Sequence, residues 1–234
     1  MSTNSNDDNM IDKLQKLQQI KKHELHPLIN EIHEQHKISK KTIFYMKEYG
    51  PHSNVPMTII KESTKILIVS TIIASFSGIT LEYFKQNLEK IAPLIIVIPA
   101  INDMIGDFGT MFSAKISTML HEGKIKNNPL ENHEIKKMLA QAIIIALIGG
   151  LLISIGANTI KGQNLSTITI AKFTAIIIVD IIILVSTMFI ISITLGKHFF
   201  KNKEDPNNFL IPITTSIADL TNIIFISVLT TALI

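Results

Sequence analysis

Four aspartates stand inside long apolar runs. Asp103, Asp107, Asp180 and Asp219 each interrupt a stretch rich in Ile, Leu and Val. If those stretches lie in hydrocarbon, each carboxylate costs on the order of 3 kcal/mol at the bilayer centre, and such residues face a protein interior and mark ion pathways. None of the four has an obvious Lys or Arg partner at matching depth. An unpaired carboxylate must then take up a proton or draw a cation from outside. Asp103 and Asp107 are four residues apart and share one helical face, with Asn102, Gly106 and Thr110 close by. Pro212, Thr215, Asp219 and Asn222 follow one another at steps of 3, 4 and 3 and draw one polar stripe, with Ser216 beside it. Oxygen ligands of this kind suit a hard cation. Mg²⁺ keeps several waters and is held by one or two carboxylates. A few Asp among hydroxyls and carbonyls pass a partly hydrated ion without trapping it. The candidate ligands are Asp219, Asp107, Asp103, Asn102, Gly106, Thr215 and Ser216. Asp180, with only Ile, Val and Leu beside it, reads as a structural or protonated acid.

The elements that must hold these residues are legible in the charge pattern. Of 234 residues, 47% are hydrophobic and 18% charged, below the roughly 25% charged residues of soluble domains. Charged residues fence off five apolar segments: Ile66–Leu81, Ile91–Ala114, Met138–Ile160, Phe173–Gly196 and Pro206–Ile234. A spanning helix needs about 17–25 predominantly apolar residues. The first segment is slightly short, and Lys65 can snorkel to extend it. The expected architecture is an all-α integral membrane protein with five transmembrane helices. Span two carries Pro99, Gly106 and Gly109 and is expected to break or kink. Residues 1–60 form a short helical region ahead of the transport domain at 61–234. Within it Met1–Asn9 has almost nothing to bury and is expected to be disordered, and Ser39 is placed to cap a helix running to Tyr49, which Gly50–Pro51 ends. The apolar face of 39–49 needs a partner: the bundle, the bilayer surface or a second copy. His23, His26, His33 and His36 form two H-x2-H pairs, but Pro27 interrupts them and a solvated helix face is the better reading than a metal site. Lysines gather before span one and in the loops after spans two and four. This puts the N-terminus in the cytoplasm and the C-terminus outside a cell membrane crossed several times.

Two of these segments resemble a known family. Pro99–x6–Gly106–Asp107–x–Gly109 is similar to the span-two signature of MgtE-type Mg²⁺ transporters, with Asp107 where that family usually has Asn. Lys115–Ile116–Ser117–Thr118–x–Leu120–His121 resembles a stretch of the related eukaryotic solute-carrier Mg²⁺ transporters. Asp205–Pro206–x–Asn208 followed by Pro212–x2–Thr215–x3–Asp219 resembles the entry to span five in both groups. The resemblance implies a five-helix domain working as a homodimer, with spans two and five of both copies around a central path. It also implies that Asp219 is the Mg²⁺-binding aspartate, with Gly106, Asp107 and Gly109 facing the same path. It does not extend to the cytoplasmic sensor of bacterial members, and gating through one is not implied.

Other function classes fit less well. A net charge of +3 is too small to argue for nucleic acid. The absence of Cys excludes thiolate metal sites and Cys nucleophiles. An intramembrane aspartyl protease needs Gly-x-Gly-Asp, but Met104–Ile105–Gly106–Asp107 lacks the first Gly. No phosphate-binding loop is present to couple ATP, so transport would follow a gradient. A membrane sensor or scaffold that only binds cations needs the same acidic stripe and stays as the alternative. Among hard cations, Mn²⁺, Co²⁺ and Ca²⁺ share the oxygen chemistry of Mg²⁺.

Overall fold

A helix of about 20 residues crosses a bilayer core of about 30 Å. The computed structural model describes residues 5–18, 27–50, 55–89, 92–125, 129–160 and 166–233. Among them every regular element is helical: α1 (Ser5–Gln18), α2 (Pro27–His36), α3 (Lys40–Tyr49), α4 (Val55–Glu89), α5 (Ala92–His121), α6 (His133–Ile160), α7 (Thr167–Lys201) and α8 (Pro206–Leu233), with a 3₁₀ turn at Pro129–Glu131. The last five α-helices are long and apolar enough to span, as the five fenced segments require. They outrun those segments at several ends, because charged residues such as Lys65 and Glu82 continue the helix beyond the apolar zone.

Burial sorts the spans. About half of the apolar stretch of α5, α7 and α8 is buried (44%, 56% and 44%), against 17% for α4 and 22% for α6. The first three therefore form the centre. Phe112 on α5 meets Phe189 on α7 edge to face, with ring centres 5.3 Å apart. α4 lies along α8 and buries Ser70 and Ser77, small residues that let helices approach closely in lipid. The rest of α4, including Leu67, Ile68, Ile72, Phe76 and Ile79, is exposed as a lipid-facing surface must be. Asp180 on α7 is fully buried, and neither carboxylate oxygen has a hydrogen-bond partner among the described residues.

The N-terminal helices form a small cluster of their own around Leu14, Leu17, Ile29, Ile32 and Ile43. Ser39 caps α3 as expected: its Oγ accepts from the Thr42 amide at 3.1 Å. Gly50 ends α3 at φ +97°, a conformation that L side chains rarely adopt. One expectation needs correcting, and one alternative of another falls away, the break in span two. α1 starts at Ser5, inside the stretch read as having nothing to bury, because Leu14 and Leu17 anchor the helix to α2 and α3. α5 does not break. It stays helical through Pro99, Gly106 and Gly109, since Pro removes only one backbone donor and packing against α7 and α8 holds the rest. His23 and His26 lie outside the described residues. His33 Nδ1 bonds the Ile38 carbonyl oxygen at 2.7 Å.

The partner of the 39–49 face is the bundle. Phe44 stacks on Phe200 of α7 at 5.7 Å and meets His121 of α5 edge-on at 4.9 Å. Beside them Asp205, fully buried ahead of Pro206, gathers one end of the bundle. Its Oδ2 accepts from Tyr45 Oη and from Lys41 Nζ, each at 2.7 Å. Its Oδ1 accepts from Ser117 Oγ (3.1 Å) and the Asn207 amide (3.2 Å), and lies 3.4 Å from His121 Nε2. Asn208 Nδ2 donates to Tyr45 Oη (2.9 Å) and to Glu62 Oε2 of α4 (2.7 Å). Helices α3, α4, α5 and α8 thus meet on one polar network. Burial opposes ionisation of Asp205. The hydrogen bonds from His121 and Lys41 and the Lys41 charge outweigh it and hold the carboxyl below the usual carboxylate range.

Removing one partner of a buried pair costs about 3–5 kcal/mol, and Asp205→Asn is expected near the low end because Lys41 is partly exposed. A carboxyl held low in the folded state stabilises fully above its unfolded value of about 4 and loses that contribution as pH falls below it. Hydrogen-exchange protection over Lys40–Tyr49 should therefore drop in Asp205→Asn, and in the parent on acidification below about pH 4. Unchanged protection in the variant would show that α3 docks without this network.

Candidate cation site

α5 and α8 are adjacent for much of their length, and glycine is the reason at two levels. A Cβ built on Gly109 would lie 3.0 Å from Thr214 Cβ, too close without movement. A Cβ on Gly196 of α7 would lie 3.3 Å from Leu210 Cδ1. These two positions seat α8 between α5 and α7. Ser113 Oγ donates back to the Gly109 carbonyl at 2.7 Å and so leaves no buried hydroxyl unpaired at this crossing.

Toward the other end of α5 the same helix pair opens into a groove of about 330 Å³. Its wall carries Asn102, Asp103, Gly106 and Asp107 from α5, and Thr215 and Asp219 from α8, with Pro99 at one edge. Six of the seven candidate ligands are therefore brought together. Ser216 is not: it is buried beside the groove, and its Oγ donates to the Pro212 carbonyl at 2.9 Å. Thr215 Oγ1 donates to the same carbonyl at 3.0 Å, which leaves its lone pairs free to accept or coordinate. Asn222 continues the α8 stripe by donating to Asn102 Oδ1, so the Asn102 amide is oriented from behind. Pro212, the first member of that stripe, does not line the groove.

The carboxylates differ in setting. Asp103 and Asp107 are exposed on this single chain and Asp219 is half-buried. None of the three forms an ion pair among the described residues, and no group of three or more His, Cys, Asp or Glu converges to hold a metal there. A single groove offers scattered oxygens, not a closed cage. That chemistry suits an ion retaining most of its water.

The family model for MgtE, a divalent cation transporter, matches residues 98–229, which contain every candidate ligand. The chain belongs to the MgtE family. MgtE proteins are transporters, not enzymes, and the five apolar helices make this one a multi-pass membrane protein. The chain is also similar to Solute carrier family 41 member 2 of Gallus gallus, with 23% identity over 176 residues, and of Homo sapiens, with 22%. Each match covers 70% of this chain and 30% of the relative, so the chain spans under a third of the length of these relatives. No solved structure matches it. Within the MgtE-matched segment, sequence reasoning missed Asp205 as a junction. Asp immediately before Pro at a helix start is a capping signal that would have singled it out.

Gly109 and Gly106 face different surroundings, and this can be measured. A Cβ on Gly106 meets only Thr215 Cγ2 at an ordinary 3.7 Å. Gly109→Ala should melt measurably lower than Gly106→Ala in detergent, by about 1–3 kcal/mol of overpacking. Equal melting would mean that α5 and α8 are not seated by Gly109.

Proposed function

We propose that this protein carries divalent cations, Mg²⁺ foremost, down their gradient as a homodimer, with the acidic grooves of the two copies facing each other. The observation that carries this reading is the exposed stripe of α5. Ile96, Ala100, Asp103, Asp107 and Met111 are all exposed, so two carboxylates share a strip with apolar residues at membrane depth. Left against acyl chains, each would cost on the order of 3 kcal/mol. A second copy removes that cost. Its matching stripe forms a self-complementary two-fold interface and turns two open grooves into one enclosed path.

In that path Asp219 is the central ligand. Asp103, Asp107, Asn102 and Thr215 coordinate directly or through water, and Gly106 leaves backbone within reach of the ion. Ser216 supports the wall by bonding Pro212. The family and the solute-carrier relatives support cation transport. The preference for Mg²⁺ rests on the oxygen-only donors and the small number of carboxylates. Residues 1–60 act as a helical cytoplasmic region and 61–234 as the transport domain. The lysine distribution puts the N-terminal helices in the cytoplasm and the C-terminus outside the cell membrane.

Mg²⁺ uptake into proteoliposomes tests the reading. Asp219→Ala should lower the rate roughly tenfold or more, the equivalent of about 1.4 kcal/mol of ion interaction. The double variant Asp103→Asn/Asp107→Asn should lower it less. Uptake by Asp219→Ala equal to the parent would overturn the ligand assignment. Mg²⁺ binding without uptake by the parent would favour the cation sensor instead.

A further inference from the structure

Of the four aspartates inside the apolar runs, only Asp180 stays outside the acidic groove. Its depth follows from helix register. α5 and α7 run side by side in the same direction: Ser113 Oγ lies 3.4 Å from Ser192 Oγ, and a Cβ on Gly109 would lie 3.8 Å from Met188 Cγ. The residues of each pair are 79 positions apart. Both helices continue without a break past Asp180, at about 1.5 Å per residue, so the same offset sets Asp180 level with Ile101 and Asn102. α8 is tied to this level by Asn222, whose Nδ2 donates to Asn102 Oδ1. Asp180 thus stands at the depth of the groove, on the helix that packs behind α5 and α8.

The interior at this depth is short of hydrogens. Asp180 and Asn222 are both fully buried. Both carboxylate oxygens of Asp180 and Oδ1 of Asn222 lack a hydrogen-bond partner among the described residues. An ionised carboxylate only accepts, whereas a protonated one carries an O–H to donate. Nor is a counter-charge at hand. The helices packed against α7 are α5, α6 and α8. Asp103 and Asp107 on α5 and Asp219 on α8 line the groove and are acids themselves. Lys115 and His121 on α5 lie roughly three helical turns or more from Asn102. On α6, His133, Glu134, Lys136 and Lys137 lie as far from Gly150, which meets Ile181. Lys172 on α7 itself is about two turns from Asp180. None of these groups forms an ion pair with Asp180. A carboxylate here would be a buried charge with neither donor nor cation beside it, an arrangement that protein interiors avoid.

We propose that Asp180 holds a proton in the cation-free protein and gives it up when a cation enters the groove, so that proton release and cation binding are linked. The inference rests on the cation path proposed above. In this step the carboxyl O–H bond breaks, the proton passes to the surrounding water and the carboxylate stays behind. A dication in the groove, at the same depth, offsets that buried negative charge. The carboxylate in turn strengthens the hold on the ion. Linkage is reciprocal, so a protonated Asp180 weakens cation binding and rising pH strengthens it.

The test uses the full chain in detergent, with Mg²⁺ binding measured by calorimetry across pH and infrared difference spectra recorded as Mg²⁺ is added. Without Mg²⁺ the parent should show the C=O band of a protonated carboxyl that Asp180→Asn lacks, and Mg²⁺ should bleach it. The Mg²⁺ affinity of the parent should rise with pH more steeply than that of Asp180→Asn, by up to about tenfold per pH unit for one linked proton. A merely structural Asp180 would alter melting and leave this slope unchanged. Melting checks that the variant folds, and Asp180→Ala offers a second neutral replacement. Absence of the band would overturn the proposal, as would a band unmoved by Mg²⁺ that binds, or equal pH slopes in parent and variant. A band present in a parent that binds no Mg²⁺ would overturn the cation path and the linkage with it.

Discussion

A carboxylate cannot rest against acyl chains, and two of them lie on the outward strip of α5. Asp103 and Asp107 share that strip with Ile96, Ala100 and Met111. The outer face of α4, with Leu67, Ile68, Ile72, Phe76 and Ile79, is by contrast apolar in the ordinary way of lipid-facing helices. The two carboxylates sit at one place on the surface of α5. It lies beside Asp219 and Thr215, where oxygen donors are concentrated. In the proposed dimer a cation would relieve the charge and a second copy the exposure, so binding and assembly would answer the same constraint.

The remainder of the fold holds α8 in register with α5. Close contact at Gly109 and Gly196 sets how near α8 comes to its neighbours, and Asn222 ties its far part to Asn102. At the opposite end Asp205 caps α8 while binding α3 and α5. The N-terminal helices are therefore anchored to the two helices that form the groove.

Much of this was legible in the sequence, for physical reasons that differ by feature. The spans were readable because the bilayer imposes a length and a composition on each, and charged residues mark the ends. The Ser39 cap and the Gly50 stop were readable because both are local chemistry. The groove was readable from helical periodicity, which placed Asp103 with Asp107 and Thr215 with Asp219. Periodicity could not separate Thr215 from Ser216. Adjacent residues point about 100° apart on a helix, and only packing decides which of them faces the groove. The continuity of α5 through Pro99 depended on neighbours in the same way. The Asp205 network joins residues as much as 160 positions apart, and no local pattern announces such a meeting. The amphipathic 39–49 segment showed that it needed an apolar partner, but the partner's identity lay in Phe200 and His121.

The central claim is that the acidic strip of α5 meets its own copy. The chain has no Cys, so single cysteines report cleanly. With Ala100→Cys or Met111→Cys in native membranes, a short thiol cross-linker should join two copies, with a yield that shifts when Mg²⁺ is added. Efficient cross-linking through Ile68→Cys on the outer face of α4, with none through either α5 position, would contradict the account.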